Sequence, residues 1–311
     1  MGKIKAICIS EKKGTQKKQI ECGVFIQGFG IENDAHGGKW HRQVSLLSVE
    51  KIAEFKQKGV EVDYGAFGEN LVVEGFDFSA LPVGTRFQCN DVILEMTQIG
   101  KECHTHCQIY HKVGDCIMPR EGVFAEVIQS GSMKVGDEIV MLEAEEKPPF
   151  RAAIITLSDQ GSVGIRIDES GPAIREILVE RQYKVIEELL LPDEQKELEK
   201  ELVRLADGRQ VNLIITTGGT GLSNRDCTPE ATLAVATKNV PGIAEAIRGY
   251  SLTITKRAML SRGVSVLRNN TLIINLPGSP KAVKESLSYI IETLEHGLEI
   301  LRGSVHECAR K

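Results

Sequence analysis

Hydrophobic positions along the chain fall into two regimes. Up to about residue 142 they come in short runs divided by glycines and turn residues. Ile4–Ile9, Gln43–Leu47, Val83–Gln88, Val92–Thr97, Phe124–Ile128 and Glu138–Leu142 all predict strands. Helical periodicity is confined there to one stretch, capped by Ser48 and running through Lys58, with Val49, Ile52, Ala53 and Phe55 on its inner face. Many short strands with few helices predict a barrel or a sandwich.

The second regime alternates. Ala152–Leu157 is a continuous apolar run, as in a strand buried on both faces, and a helix opened by Pro172 follows. Val185–Leu191 predicts the next strand, and Asp193 can cap a helix carrying Leu198, Leu202 and Leu205. Val211–Ile215 predicts another buried strand, and Pro229 opens a helix behind Thr228. Val264–Leu267 and Thr271–Leu276 predict a hairpin across Asn269-Asn270; Pro280 opens a last helix with Ser279 as its cap. Strand and helix in alternation predict a three-layer α/β unit on a mostly parallel sheet. Between the regimes lies Glu143-Ala144-Glu145-Glu146-Lys147-Pro148-Pro149-Phe150, a charged stretch ending in a stiff Pro pair. It predicts two domains, 1–146 and 147–311.

Composition narrows the function. A length of 311 residues suits two ordinary domains, and a net charge of -5 without any long Lys/Arg run argues against a nucleic-acid protein. No stretch of eighteen apolar residues predicts a membrane span, and Met1-Gly2-Lys3-Ile4-Lys5 does not read as a secretory signal, so a cytoplasmic location is expected. Six of the eight cysteines precede residue 120, so any thiol chemistry belongs to the first half.

Ligands of open α/β sheets bind beyond the carboxyl ends of the strands. Three loops are expected there: Leu157-Ser158-Asp159-Gln160-Gly161-Ser162, Thr217-Gly218-Gly219-Thr220-Gly221 and Pro277-Gly278-Ser279-Pro280. The second lets backbone N–H groups converge on phosphate oxygens, although it is neither a Walker motif nor a dinucleotide fingerprint. Asp159, Asp168, Asp193 and Asp226 lie beside these loops. Each can be a cap or turn residue; several at one sheet edge beside such glycines fit magnesium on a phosphate ligand.

Residues 151 to 303 resemble the molybdopterin adenylyltransferase (MogA-like) family. The resemblance rests on Thr156–Asp159 with Arg166–Pro172, on Thr217–Gly221 with Arg225–Thr232, on Leu276–Lys281, and on Ser261-Arg262. It implies a homotrimer assembled through this half, and transfer of AMP from MgATP to the terminal phosphate of molybdopterin. It marks Asp193 and Asp226 as catalytic acids that would hold Mg²⁺. It implies Ser158, Thr217, Gly218, Gly219, Thr220, Gly221, Ser261, Pro277, Gly278 and Ser279 as binding residues. Pro192-Asp193-Glu194-Gln195 and Arg225–Thr232 resemble the active branch rather than a non-catalytic sister branch, which would make the chain a cofactor carrier.

Residues 3 to 142 resemble the MOSC family, through Asn33–Gly38, Gly65–Leu71, Pro82–Thr85, Thr97–Cys103 and Gly131–Val140. The resemblance implies a β-barrel that binds the pterin or the molybdenum cofactor. It also implies that Cys103 carries sulfur or ligates molybdenum; molybdate insertases or molybdoenzymes are expected partners. Lys101, His104 and His106 would favour a thiolate there. His36, Lys39, His41 and Arg42 can meet an anionic phosphate, whereas Glu69-Asn70 reads as a turn. Cys103, His104, His106, Cys107, His111 and Cys116 also invite a zinc reading, without a second well-spaced ligand pair.

Overall fold

A computed structural model describes residues 1–57, 59, 61–101 and 116–303. The chain divides into two compact units, Met1–Glu146 and Lys147–Lys311.

The first unit is built on strands β1 (Gly2–Ile9), β2 (Lys18–Ile20), β3 (Cys22–Ile26), β4 (Gly30–Ile31), β5 (Val44–Ser48), β6 (Leu71–Glu74), β7 (Arg86–Cys89), β8 (Val92–Ile99), β9 (Val123–Gln129), β10 (Gly131–Lys134) and β11 (Glu138–Met141). Seven of them run β11-β7-β8-β9-β5-β6-β1, and β1 pairs back to β11, so the sheet closes into a barrel. Closure settles barrel against sandwich. β2 hangs on the end of β1, and β10-β3-β4 form a small separate sheet. The β5–β6 pair is parallel, and the helix Val49–Lys56 lies in the connection between them. Ser48 caps that helix as expected, accepting the Lys51 N–H at 3.2 Å. The helix ends at Lys56, and Lys58 lies outside the described residues. The strand expected from Val83 begins only at Arg86, because Thr85 N–H turns back onto Pro82 and Gly84 takes a positive φ of 102°.

The second unit contains β12 (Arg151–Leu157), β13 (Lys184–Leu191), β14 (Leu213–Thr217), β15 (Lys238–Asn239), β16 (Ser265–Arg268) and β17 (Thr271–Leu276), in the order β13-β12-β14-β17-β16-β15. The first four in that order are parallel; β16 is antiparallel to β17, and β15 to β16. β12 shows why its sequence is apolar throughout. Ala152 and Ile154 face one core with helices Ser170–Glu180 and Pro280–Leu301, and Ala153, Ile155 and Leu157 face the other with helix Gln195–Val203. The hairpin turns at Asn269, with φ 51°. Helix Pro241–Ile254 has no counterpart in the sequence reading.

Asp193 is not a helix cap. The helix begins at Gln195 with Glu194 at the cap position, which frees the Asp193 side chain for the site. The strand expected at Val211 starts at Leu213. Among the described residues, no helix is long and apolar enough to cross a membrane.

The barrel also buries charge. Lys17 Nζ lies 2.7 Å from Asp34 Oδ2, with both side chains almost wholly enclosed. Although burial opposes it, Asp34 is held well below its usual range by the Lys17 ammonium, the Ser10 N–H and the nearby His36 ring. Glu69 is fully buried and accepts the N–H groups of Gly65 (2.7 Å) and Phe67 (3.0 Å). Burial raises its carboxyl from 4.5 to about 7 despite those bonds. Between these two values the folded chain binds more protons than the unfolded one. This group's contribution to stability therefore falls as pH rises through that window, and is flat above it. Relative to Glu69→Gln, wild-type protein should lose about 1 to 3 kcal/mol of unfolding free energy from about pH 5 to about pH 8, read by urea titration. A pH-independent difference between the two proteins would show that Glu69 does not titrate there.

Candidate functional site

Thr156, Thr217 and Leu276 are adjacent in register across β12, β14 and β17. The three loops that follow therefore leave the sheet side by side. Gly278 packs so closely that a Cβ there would lie 3.3 Å from Gly218 Cα. Thr217 Oγ1 donates to Pro277 O at 2.7 Å, and Ser170 Oγ donates to Gly278 O at 3.0 Å.

The central loop sorts its backbone groups by direction. Gly218 and Gly219 have positive φ, 92° and 61°. Their carbonyls accept from Thr228 Oγ1 (2.9 Å) and Thr228 N–H (3.1 Å). The Thr220 and Gly221 carbonyls accept from Arg262 N–H (3.0 Å) and Arg262 Nε (2.6 Å). Arg262 also reaches the Asp226 carbonyl at 2.9 Å and pairs with Glu230. Four carbonyls are thus committed to scaffold residues. The N–H groups of Gly219, Thr220 and Gly221 donate to no protein acceptor among the described residues. Backbone N–H groups left without an acceptor are what a bound anion can use.

Two acids adjoin this loop. A Cβ at Gly219 would lie 3.0 Å from Asp193 Oδ1, and one at Gly221 would lie 2.8 Å from Asp226 Oδ2. Asp193 and Asp159 clasp each other: Asp193 N–H donates to Asp159 Oδ1 (3.0 Å) and Asp159 N–H to Asp193 Oδ2 (3.1 Å). Asp193 Oδ1 is buried with no hydrogen-bond partner among the described residues. Burial, with the charges of Asp159 and Asp226, raises the Asp193 carboxyl above its usual range against the pull of the Asp159 N–H and Arg225.

A buried carboxylate oxygen without a donor, beside a second carboxylate, fits a divalent cation. No group of three or more His, Cys, Asp or Glu among the described residues forms a protein-only cage. The cation that fits is one that takes a carboxylate or two and completes its shell from phosphate and water, as Mg²⁺ does.

The other expected residues lie close by, several with their hydroxyls already engaged. Ser158 caps the short helix Asp159–Ser162 by accepting Gly161 N–H at 3.0 Å. Ser279 caps Pro280–Leu301 through Ala282 N–H at 3.3 Å, and Ser261 accepts Gly263 N–H at 3.4 Å. Asp168 is fully used: Oδ1 accepts Ser170 and Gly171 N–H, and Oδ2 accepts Thr156 Oγ1. A groove of about 500 Å³ opens beside the third loop, lined by the carboxylates Asp168, Glu169 and Glu176 together with Pro172, Ala173, Pro280 and Lys284. Sequence reasoning missed the structural work of Thr228 and Arg262. Their partners lie up to 42 residues away, and only the loop's geometry connects them.

In the first unit, Arg42 stacks over Trp40 at 4.9 Å, and Trp40 Nε1 donates to His36 O at 2.9 Å. His41 Nε2 meets Gln98 Oε1 at 2.8 Å, and Gln98 donates to Gly100 O at 2.7 Å. Cys103, His104, His106, Cys107 and His111 lie outside the described residues. Cys116 is buried in a hydrophobic cluster with Ile117 and Phe124. Burial pushes the thiols of Cys8 and Cys89 up to about 12 and about 11, so neither is a ready nucleophile.

A Cβ on Gly218 would lie 2.3 Å from Leu157 O, in a conformation that side chains rarely adopt. Gly218→Ala should therefore destabilise the second unit by about 1 to 3 kcal/mol, seen as a lower thermal midpoint in calorimetry. An unchanged midpoint would mean that the loop relaxes freely.

Comparison with known proteins adds an independent line. Residues 153–296 match the family model described as "Probable molybdopterin binding domain", and residues 33–140 match the MOSC domain model. The molybdopterin adenylyltransferase of Escherichia coli (strain K12) is 44% identical over 140 residues, which are 44% of this chain and 72% of that protein. That of Helicobacter pylori (strain ATCC 700392 / 26695) is 39% identical over 160 residues, 51% of this chain and 91% of that protein. Among solved structures, the molybdopterin biosynthesis enzyme MoaB from Thermus thermophilus is 46% identical, covering 50% of this chain and 97% of its own, with a TM-score of 0.48.

Proposed function

The chain belongs to the molybdopterin adenylyltransferase family, and from that premise we propose that residues 147–311 transfer AMP from MgATP to the terminal phosphate of molybdopterin, releasing pyrophosphate. The observation that carries the proposal is the central loop: four carbonyls turned onto Thr228 and Arg262, three N–H groups left for an anion, and the unpartnered Asp193 Oδ1 beside them.

The chemistry follows from charge. Both reactants are phosphates, and the attacking one is already ionised, so the protein has no proton to remove. Its work is positioning and neutralisation. Asp193 and Asp226 would hold Mg²⁺, and the ion would supply positive charge to offset that of the triphosphate. The N–H groups of Gly219, Thr220 and Gly221 fix the phosphates without adding a mobile charge. The groove beside Pro280 takes the pterin, with its phosphate directed at the third loop and the Ser279 helix N-terminus.

For the first unit, the match to the MOSC model supports a cofactor-binding barrel with Cys103 as its sulfur or molybdenum ligand.

Full-length protein incubated with molybdopterin and MgATP should form adenylylated molybdopterin with one pyrophosphate per product, read by mass spectrometry and a coupled pyrophosphate assay. Asp226→Ala should lower the rate at least about a hundredfold. Tight pterin binding with no pyrophosphate release would replace this reading with that of a non-catalytic carrier.

A further inference from the structure

The acids of the site are tied together by a cation that the phosphate cradle does not use. Arg225 donates from Nε and Nη2 to the two carboxylate oxygens of Asp159, at 3.0 and 2.9 Å. Its Nη1 lies 2.8 Å from Glu194 Oε1. One guanidinium thus joins three segments of chain and holds the residues that stand on either side of the clasped Asp193.

The bond pattern gives this arrangement its consequence. Asp159 Oδ1 takes two donors, Arg225 Nη2 and the Asp193 N–H. Asp193 Oδ2 is tied back in turn by the Asp159 N–H, and Asp193 Oδ1 is left over. We propose that Arg225 is a positioning residue for the cation: by fixing Asp159 and Glu194 it sets the Asp193 carboxylate with one oxygen restrained and the other presented to Mg²⁺. The inference rests on the adenylyltransferase reading of the same site and adds a residue to which that reading gives no part.

Stability is not the reason for this linkage. Arg225 is 52% exposed and its partners 45% and 56%, and ion pairs in water contribute little to folding. Orientation is a different matter: partners one bond removed from a metal ligand govern affinity through the geometry they impose. Removing Arg225 has two opposed effects. It deletes a positive charge, which would strengthen cation binding, and it releases Asp159, which would weaken it. Arg225→Lys separates them, because lysine keeps the charge and cannot span both oxygens of Asp159 and Glu194.

The test uses full-length protein and Mn²⁺·ATP as probe, with binding followed by water proton relaxation. Arg225→Ala and Arg225→Lys should both weaken Mn²⁺·ATP binding about tenfold. Binding of metal-free ATP in chelator, and the thermal midpoint, should stay unchanged. In turnover, the Mg²⁺ concentration for half-maximal rate should rise in parallel, and the deficit should narrow to within about threefold at saturating metal. Unchanged or tighter Mn²⁺·ATP binding in Arg225→Ala would overturn the proposal, as would full restoration by lysine. Should wild-type protein make no adenylylated pterin while the variants still lose Mn²⁺·ATP affinity, the positioning role stands and the assigned reaction falls.

Discussion

The register of three parallel strands is the constraint on which the site depends. With Thr156, Thr217 and Leu276 side by side, loops from distant parts of the sequence leave one edge of the sheet a strand spacing apart. Both faces are apolar, so a slip of one residue would exchange the side chains offered to the two cores, and it is their fit on each face that holds the register. Packing of Ala152, Ile154, Leu213, Ile215, Leu272 and Ile274 on one side therefore fixes where Gly218, Asp159 and Gly278 meet.

Charge then decides what that edge can hold. Asp159, Asp193, Glu194 and Asp226 are gathered there, and alone they would repel a phosphate. Arg225 neutralises the outer pair, and Arg262 turns carbonyl dipoles away from the cradle. What remains inward is a set of N–H groups and one carboxylate oxygen without a donor. Neither suffices alone: the N–H groups welcome an anion and the carboxylate welcomes a cation. A metal–phosphate complex satisfies both, which is why a protein-only metal cage is unnecessary.

Much of this was legible locally. Ser48 and Ser279 announce their helices because capping is a contact over three residues. The linker could be read because charge and Pro-Pro interrupt an apolar pattern. Gly218-Gly219 could be read because positive φ restricts the residue type. The failures have one cause. Asp193 in Pro-Asp-Glu looks like a cap, and only the clasp with Asp159, 34 residues away, draws its side chain into the site. Arg225 meets Asp159 across 66 residues. Short β2 and β4 carry too few residues for a period of two to stand out, and β4 is two residues long. Closure of the barrel is a pairing between the ends of the unit, Gly2 with Ile139, which no local pattern records.

The junction between the units limits what their fusion can do. Arg302 stacks on Phe150 at 4.0 Å and donates to Pro148 O, Pro149 O and Asn212 Oδ1. The same Asn212 oxygen accepts the Arg151 N–H. The chain is therefore clamped as it enters β12, at the amino end of that strand. The phosphate rim is at the carboxyl end, seven residues on, or about 20 Å at the rise of an extended strand. Pro148–Phe150 therefore lie at the end of β12 opposite the three loops. What covalent attachment adds in itself is proximity: two units on one chain are held at a raised local concentration of each other, and that gain requires no shared side chain.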